Sequence, residues 1–254
     1  MHVPRIDSLL VLVLGLILAL IMIFFVCTRS RSYRPRSRED ALLLLQQLHS
    51  TLRLSHGTFE DEFPEQVMAA QYLQADDLVL ELGGNIGRNS LVISHLLKDS
   101  RQLVTLETDP TIADQLHQNR EQNGLGFHIV CAALSAQRLI QSGWTTETMP
   151  SDQRIPEGYQ EVKTVDYTSL CQSFAPHGFT ALVADCEGAL YYILRDFPEL
   201  LQTVRTVVME NDYTDRSHKT SVDDSLRRAG FQCVYREAGG WGPCVDCFFE
   251  VWQK

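Results

Sequence analysis

Leu78-Val79-Leu80-Glu81-Leu82-Gly83-Gly84-Asn85-Ile86-Gly87 is the stretch on which the reading of this chain turns. Leu78-Val79-Leu80 is a short apolar run of strand character, and three glycines crowd the turn that follows it. Glycine has no Cβ, so the backbone there can turn tightly and come close to a ligand. A helix is expected from Arg88 to about Lys98, with its N-terminus aimed at whatever the turn holds. A second strand, Leu103 to Leu106, ends at Glu107, a carboxylate in position to hold two ribose hydroxyls.

The glycine spacing separates two ligand classes. A dinucleotide fingerprint reads G-x-G-x-x-G, and no choice of Gly83, Gly84 and Gly87 gives that spacing. The observed E-x-G-G-N-x-G resembles the first motif of class I S-adenosylmethionine methyltransferases, an acidic residue followed by G-x-G-x-G. Asn85 replaces the middle glycine, a cheap exchange because Asn tolerates left-handed backbone angles. By itself the turn also suits an ordinary strand–turn–helix of another α/β protein.

Outside this unit the chain divides into three segments. Leu9 to Val26 is an unbroken apolar or glycine run of 18 residues, near the lower limit for crossing a bilayer. It ends Phe25-Val26-Cys27-Thr28-Arg29, a poor signal-peptidase site, so an uncleaved signal-anchor over residues 1–28 is expected rather than a cleaved signal. Residues 29–38 form a basic Arg/Ser tether, with only Arg5 and Asp7 on the other flank. By the positive-inside rule this predicts a single-pass membrane protein whose C-terminal domain, residues 39–254, faces the cytosol. The bilayer is then a partner through residues 9–26, and the tether arginines can touch anionic lipid or serve only as a topology signal.

Net charge is −10, and residues 1–38 carry six Arg against one Asp, which leaves the rest with 16 basic and 31 acidic residues. An acidic domain repels phosphate backbones, so no nucleic-acid partner is expected. Most of the seven cysteines lie in apolar runs. Cys244-Val-Asp-Cys247 is at most half a zinc site without a partner motif, so no metal site is expected.

Along the domain, helices are expected over Glu39–Leu54 and Phe63–Leu73, together capping one edge of a sheet. Asp109-Pro110 opens a polar helix to about Asn123, and Phe127 to Cys131 forms a third strand. Ala132-Ala133 at its end leaves room for a flat purine ring or packs tightly. Ser135 to Tyr159 reads as a long loop, with Trp144 either a substrate contact or a pin. Gln160 to Val165 is a strand and Asp166 a cap. Thr180 to Ala184 is a main strand that ends Asp185-Cys186-Glu187-Gly188, two carboxylates where open α/β sheets bind ligands. Val204 to Met209 ends at Glu210. Phe231–Tyr235 and Val245–Trp252, joined by a turn rather than a helix, imply an antiparallel hairpin.

Taken in order, Glu81 to Gly87, Glu107-x-Asp109-Pro110, Asn119 with Asn123-Gly124, Ala132-Ala133-Leu134-Ser135, Val162 to Leu170, Asp185-x-Glu187-Gly188-Ala189 and Val207-Val208-Met209-Glu210 resemble the FkbM-type methyltransferase family. The series covers roughly Leu78 to Glu210. Two departures stand out: Glu81 where members commonly have Asp, and Leu190 where they commonly have an acid after Gly-Ala.

The resemblance implies a Rossmann-like class I methyltransferase fold, a seven-stranded mostly parallel sheet with a C-terminal antiparallel hairpin, and S-adenosylmethionine as cofactor. Glu81, Gly83, Gly84, Asn85, Gly87, Glu107, Ala132 and Asp185 would form the cofactor site. Asp185 would act as base or acceptor-orienting group. Glu187 would share that role or only stabilise a helix dipole. The expected acceptor is a hydroxyl of a small molecule, glycan or lipid head group at the cytosolic membrane face. A protein methyltransferase of the same fold and a non-catalytic membrane-tethered scaffold that binds the cofactor or has lost it are the alternatives, and the glycine spacing makes a nicotinamide oxidoreductase a distant fourth.

Overall fold

A computed structural model describes residues 35–254. The expected span at 9–26, and most of the basic tether, lie outside the described residues. The expected single-pass membrane localisation is therefore corrected: among the described residues no helix is long and apolar enough to cross a membrane.

The strands are, in chain order, β1 (Val79–Leu82), β2 (Leu103–Leu106), β3 (His128–Val130), β4 (Ala133–Leu134), β5 (Leu139–Ser142), β6 (Thr145–Thr148), β7 (Gln160–Val162), β8 (Thr164–Val165), β9 (Ala181–Ala184), β10 (Thr206–Glu210), β11 (Gln232–Glu237) and β12 (Phe249–Gln253). Seven of them form one sheet in the order β11-β12-β10-β9-β1-β2-β3. β3, β2, β1, β9 and β10 run parallel, and β12 is antiparallel to both β10 and β11. This is the sheet of the Rossmann-like methyltransferase fold with its antiparallel C-terminal pair. The parallel strands read as continuous apolar runs because helices cover both faces and every residue of β1, β2 and β9 is buried.

The chain builds outward from β1 to β2 and β3, then returns to lay β9 on the other side of β1. The reversal opens a crevice at the carboxyl ends of β1 and β9, where open α/β sheets take ligands. Gly83 and Glu107 follow the ends of β1 and β2, and Asp185 follows β9.

The leading helices span Arg38–Thr51 and Phe63–Tyr72, and both reach the sheet edge at β11, the second through Tyr72, whose ring lies 5.9 Å from that of Tyr235. Arg38 pairs with Glu237 of the edge strand β11 at 3.0 Å. The Phe63–Tyr72 helix also packs against the Arg88–Leu96 helix, β10 and β12. Its residues from Glu65 to Tyr72 are all buried, because Val67, Met68, Ala69 and Ala70 leave it without a polar face. Arg36, read from sequence as tether, docks on this helix: its N–H donates to the Gln71 carbonyl at 2.9 Å and its Nη1 to the Ala70 carbonyl at 2.7 Å.

The expected loop at 135–159 contains a hairpin over 139–148 and is otherwise loop. β5 pairs antiparallel with β6 and with β7, forming a three-stranded sheet of its own. Gly143, at φ +57°, takes the first central position of the two-residue turn. Thr-Thr-Glu-Thr in β6 is fully exposed and lacks the apolar alternation by which a strand is recognised. Between β11 and β12, Gly242–Cys247 forms a 3₁₀ segment that buries Cys244 and Cys247, so β12 begins at Phe249.

Candidate active site

A cavity of about 1010 Å³ occupies the crevice at the carboxyl ends of the parallel strands. Its walls come from the glycine turn, the ends of β2, β9 and β10, the β5–β6 hairpin and the segment before β12.

At one end lies the glycine turn. Gly83, at φ +85°, runs so close to the segment after β9 that a Cβ would sit 1.6 Å from the Asp185 carbonyl oxygen. Gly84 and Gly87 do not line the cavity. They admit neighbours behind it: a Cβ on Gly84 would meet Thr105 at 2.2 Å, and one on Gly87 would meet Leu116 at 2.4 Å. Asn85 takes the left-handed angle its type tolerates, φ +45°.

Asn85 also ties the turn to both neighbours. Its backbone N–H donates to Glu107 Oε2 at 2.8 Å, and its Nδ2 donates to Glu62 Oε1 at 3.0 Å. Glu107 faces the cavity with a second bond, from the Asp109 N–H to Oε1 at 2.9 Å. Burial pushes its carboxyl above the usual range, opposed by those backbone donors. A carboxylate has about four acceptor positions; two are filled by these N–H groups, and the Thr108 hydroxyl makes a long third bond to Oε1 at 3.5 Å. The positions toward the cavity can accept ligand hydroxyls. Ala132 is buried and lines the same end.

Glu81 is turned elsewhere. It is 2 % exposed, lies outside the cavity wall, and accepts a hydrogen bond from the Ser90 hydroxyl in the first turn of the Arg88–Leu96 helix. Burial raises its carboxyl to about 7, and the Ser90 bond opposes this without overcoming it.

The other end of the cavity is acidic. Ala184 of β9 pairs with Met209 of β10, so Asp185 and Glu210 leave adjacent strands side by side. Glu65 reaches the same point from the first turn of the Phe63–Tyr72 helix. Burial and the surrounding carboxylates, Glu62 and Glu65 foremost, push Asp185 well above its ordinary value. Glu210 is pushed up to about 11 by burial, by its bond to Glu65 and by Asp185. Glu187 is exposed, in a left-handed conformation at φ +51°, and makes no capping bond to the Leu190–Asp196 helix. The turn holding it is pinned by Asp212, whose Oδ1 accepts from the Gly188 N–H at 2.7 Å.

Three contributors were not singled out from the sequence. Glu62 and Glu65 sit at the start of a leading helix, where acids are ordinary dipole partners. Glu62 pairs with Arg88 at 2.7 Å. Trp241 joins Trp144 and Tyr192 as exposed aromatics on the cavity wall. The glycine-rich turn before the last strand was the only available hint of Trp241.

Comparisons with known proteins give no match to any family model and none to a curated protein. Solved structures do match. A ribosomal protein L11 methylase from Lactobacillus delbrueckii subsp. bulgaricus aligns over 79 % of this chain and 81 % of its own, at 12 % identity and a TM-score of 0.47. A putative O-methyltransferase from Klebsiella pneumoniae aligns over 84 % and 88 %, at 13 % identity and a TM-score of 0.42. An O-methyltransferase from Bacillus cereus, solved in complex with SAH, aligns over 87 % and 92 %, at 14 % identity and a TM-score of 0.42. Likeness at this level concerns the fold alone. The FkbM resemblance rests on the motif series.

Proposed function

We propose that the chain is an S-adenosylmethionine-dependent methyltransferase of the FkbM type, transferring methyl to a hydroxyl of a small molecule, glycan or lipid head group. One observation carries the reading: Glu107, fixed by the Asn85 and Asp109 N–H groups, keeps acceptor positions free toward the cavity beside the glycine turn. That arrangement suits a ribose diol. The cavity volume of about 1010 Å³ is at the upper end of the range for small-molecule sites and accommodates cofactor and acceptor together.

The cofactor, when bound, supplies a methyl group on a sulfonium centre that carries its own leaving group. The protein's task is therefore positioning. Gly83 and Asn85 shape one wall, with Gly84 and Gly87 letting the turn pack against Thr105 and Leu116. Ala132 leaves a flat surface for a purine. Glu81 acts on the turn from behind, through Ser90. Asp185 is the base or the acceptor-orienting group. Its place on the cavity wall at the end of β9 puts it in the acceptor space. Glu187, exposed beside it, helps orient the acceptor.

A second reading has its own observation. The acidic end, with Trp144 and Trp241 exposed on the wall, also suits a cationic lysine side chain of a protein acceptor.

Calorimetric titration of the full-length protein with S-adenosylmethionine, and separately with NADH, tests the proposal. Saturable binding of the first alone is expected, lost in Gly83→Arg, where the new side chain would collide with the Asp185 carbonyl. Failure of folded wild-type protein to bind S-adenosylmethionine overturns the methyltransferase reading in favour of a scaffold. Methyl incorporation into hydroxyl compounds against lysine peptides then separates the two acceptor readings.

A further inference from the structure

The β5–β6 hairpin turns one face to the cavity. Its register pairs Leu139 with Thr148 and Gln141 with Thr146, so these four side chains share a face, and all four line the cavity wall. Trp144, in the turn between the strands, lines the same wall and is 63 % exposed. Glu147 also reaches the wall, but by register it leaves from the opposite face, and its Oε1 accepts from the Tyr159 hydroxyl at 3.0 Å. The face toward the cavity thus carries an amide, two hydroxyls and no charge.

A second observation concerns Gln141 alone. It is 7 % exposed, and its Oε1 is buried without a hydrogen-bond partner among the described residues. An amide oxygen left in this way carries its desolvation penalty uncompensated. A half-turn of the amide exchanges its oxygen and its NH₂, so it can offer an acceptor or a donor to the cavity. Register also places it relative to the cofactor end. Ala133 pairs with Thr164 and Gln141 with Gln160, both on the segment that carries β7 and β8. Four extended residues separate those positions by about 13 Å. Gln141 therefore stands beyond a purine held against Ala132, next to the exposed Trp144, in the space left for the acceptor.

We propose that Gln141 determines acceptor specificity, and that the acceptor it selects is an uncharged sugar. The amide binds one sugar hydroxyl, and the Thr146 and Thr148 hydroxyls bind its neighbours. The negative face of the Trp144 indole attracts the weakly positive C–H groups of the ring. A buried amide that finds its partner only in the ligand rejects an analogue that lacks the hydroxyl, because the amide is then left unpaired. The same face holds no carboxylate for a lysine ammonium and no cation for a phosphate. It also accounts for a β6 strand without an apolar stripe: the side chains of Thr146 and Thr148 serve the cavity rather than a core. Sugar binding needs only the hairpin face, whereas methylation of that sugar rests on the methyltransferase reading.

The test is saturation-transfer NMR of the full-length protein with the methyl glycosides of glucose, galactose, mannose, fucose, rhamnose and N-acetylglucosamine at millimolar concentration, beside a lysine peptide. Saturable transfer to at least one glycoside is expected. Gln141→Leu should weaken it at least tenfold, and so should Trp144→Ala, at an exposed turn whose side chain the fold does not need. Urea unfolding separates this role from a structural one: Gln141→Leu removes an unpartnered amide and should leave the midpoint equal or higher, whereas loss of a structural amide would lower it. Both variants should keep wild-type affinity for S-adenosylmethionine. No transfer to any glycoside by folded wild-type protein, transfer to the lysine peptide alone, or undiminished transfer in both variants overturns the proposal. So does a lowered unfolding midpoint or a lost cofactor affinity in Gln141→Leu. The S-adenosylmethionine titration of wild-type protein keeps the two failures apart: cofactor binding without sugar binding removes only the acceptor assignment, and sugar binding without cofactor binding removes only the methyltransferase reading.

Discussion

Two carboxylate clusters in this domain face the same electrostatic problem and treat it oppositely. Glu250 in β12 is 0 % exposed and fully partnered. Lys219 lies 2.9 Å from one oxygen and Arg236 2.7 Å from the other, and the Trp252 indole donates at 2.9 Å. These donors hold its carboxyl below the usual range, against the burial that would raise it. Glu65, Asp185 and Glu210 have no such partners, and Asp185 and Glu210 are pushed upward. The chain thus supplies cations to a carboxylate that ties structure together and withholds them from carboxylates that line the cavity. The acids at that end hold their protons instead of pairing with cations, which costs stability at neutral pH.

The largest effect is expected at the compensated cluster. Lys219→Ala leaves Glu250 short of a charge partner and should destabilise the domain by about 3 kcal/mol, read from urea unfolding. A change below about 1 kcal/mol would erase the contrast between the two regions.

Glu81 tests the same physics without an ion pair. Its carboxyl is held at about 7 in the folded protein, close to Glu62 and Glu107, against an ordinary value near 4.5. Between those values the unfolded chain is ionised while the native group stays protonated. Stability contributed by Glu81 is therefore present at acidic pH, falls as pH rises from about 4.5 to about 7, and is flat above. The loss is on the order of 2–3 kcal/mol. Glu81→Gln should remove that part of the slope in unfolding curves taken from pH 5 to 8, and superimposable profiles would exclude it.

The cofactor end comes next. Glu107→Gln keeps the shape but exchanges a charged acceptor for an amide, and should weaken S-adenosylmethionine binding by about 10- to 100-fold in calorimetry. Unfolding should shift much less, since Glu107 serves the ligand as well as the turn. The last test is at the uncompensated cluster: Glu210→Gln removes the cost of keeping a carboxyl protonated there and should stabilise the protein at pH 8. Destabilisation there would mean that the cluster is structural after all.

How much of this was legible beforehand follows from distance along the chain. The Val79–Leu82 strand, the glycine turn, the Arg88–Leu96 helix and Glu107 are local, and the backbone demands of each appear in neighbouring residues. Strand polarity and the closing antiparallel pair were equally readable, because connection length alone separates helix crossovers from hairpins. Asp185, Glu187 and Glu210 could be named as strand-end acids for the same reason. The β5–β6 hairpin was missed, since its second strand is polar on both faces and is held by backbone pairing rather than by an apolar stripe.

Sequence alone thus settled the order of the main-sheet strands and their helices, the ligand class suggested by the glycine spacing, and the acids that end the central strands, all of them properties of short segments. Folding decided which of those acids meet. Glu81 is turned away to Ser90. Glu65, separated by more than a hundred residues from Asp185 and Glu210, comes within 4.8 Å of both. No periodicity encodes that meeting. It arises because a helix without a polar face must be buried on the sheet, and its first turn then lies over the ends of β9 and β10.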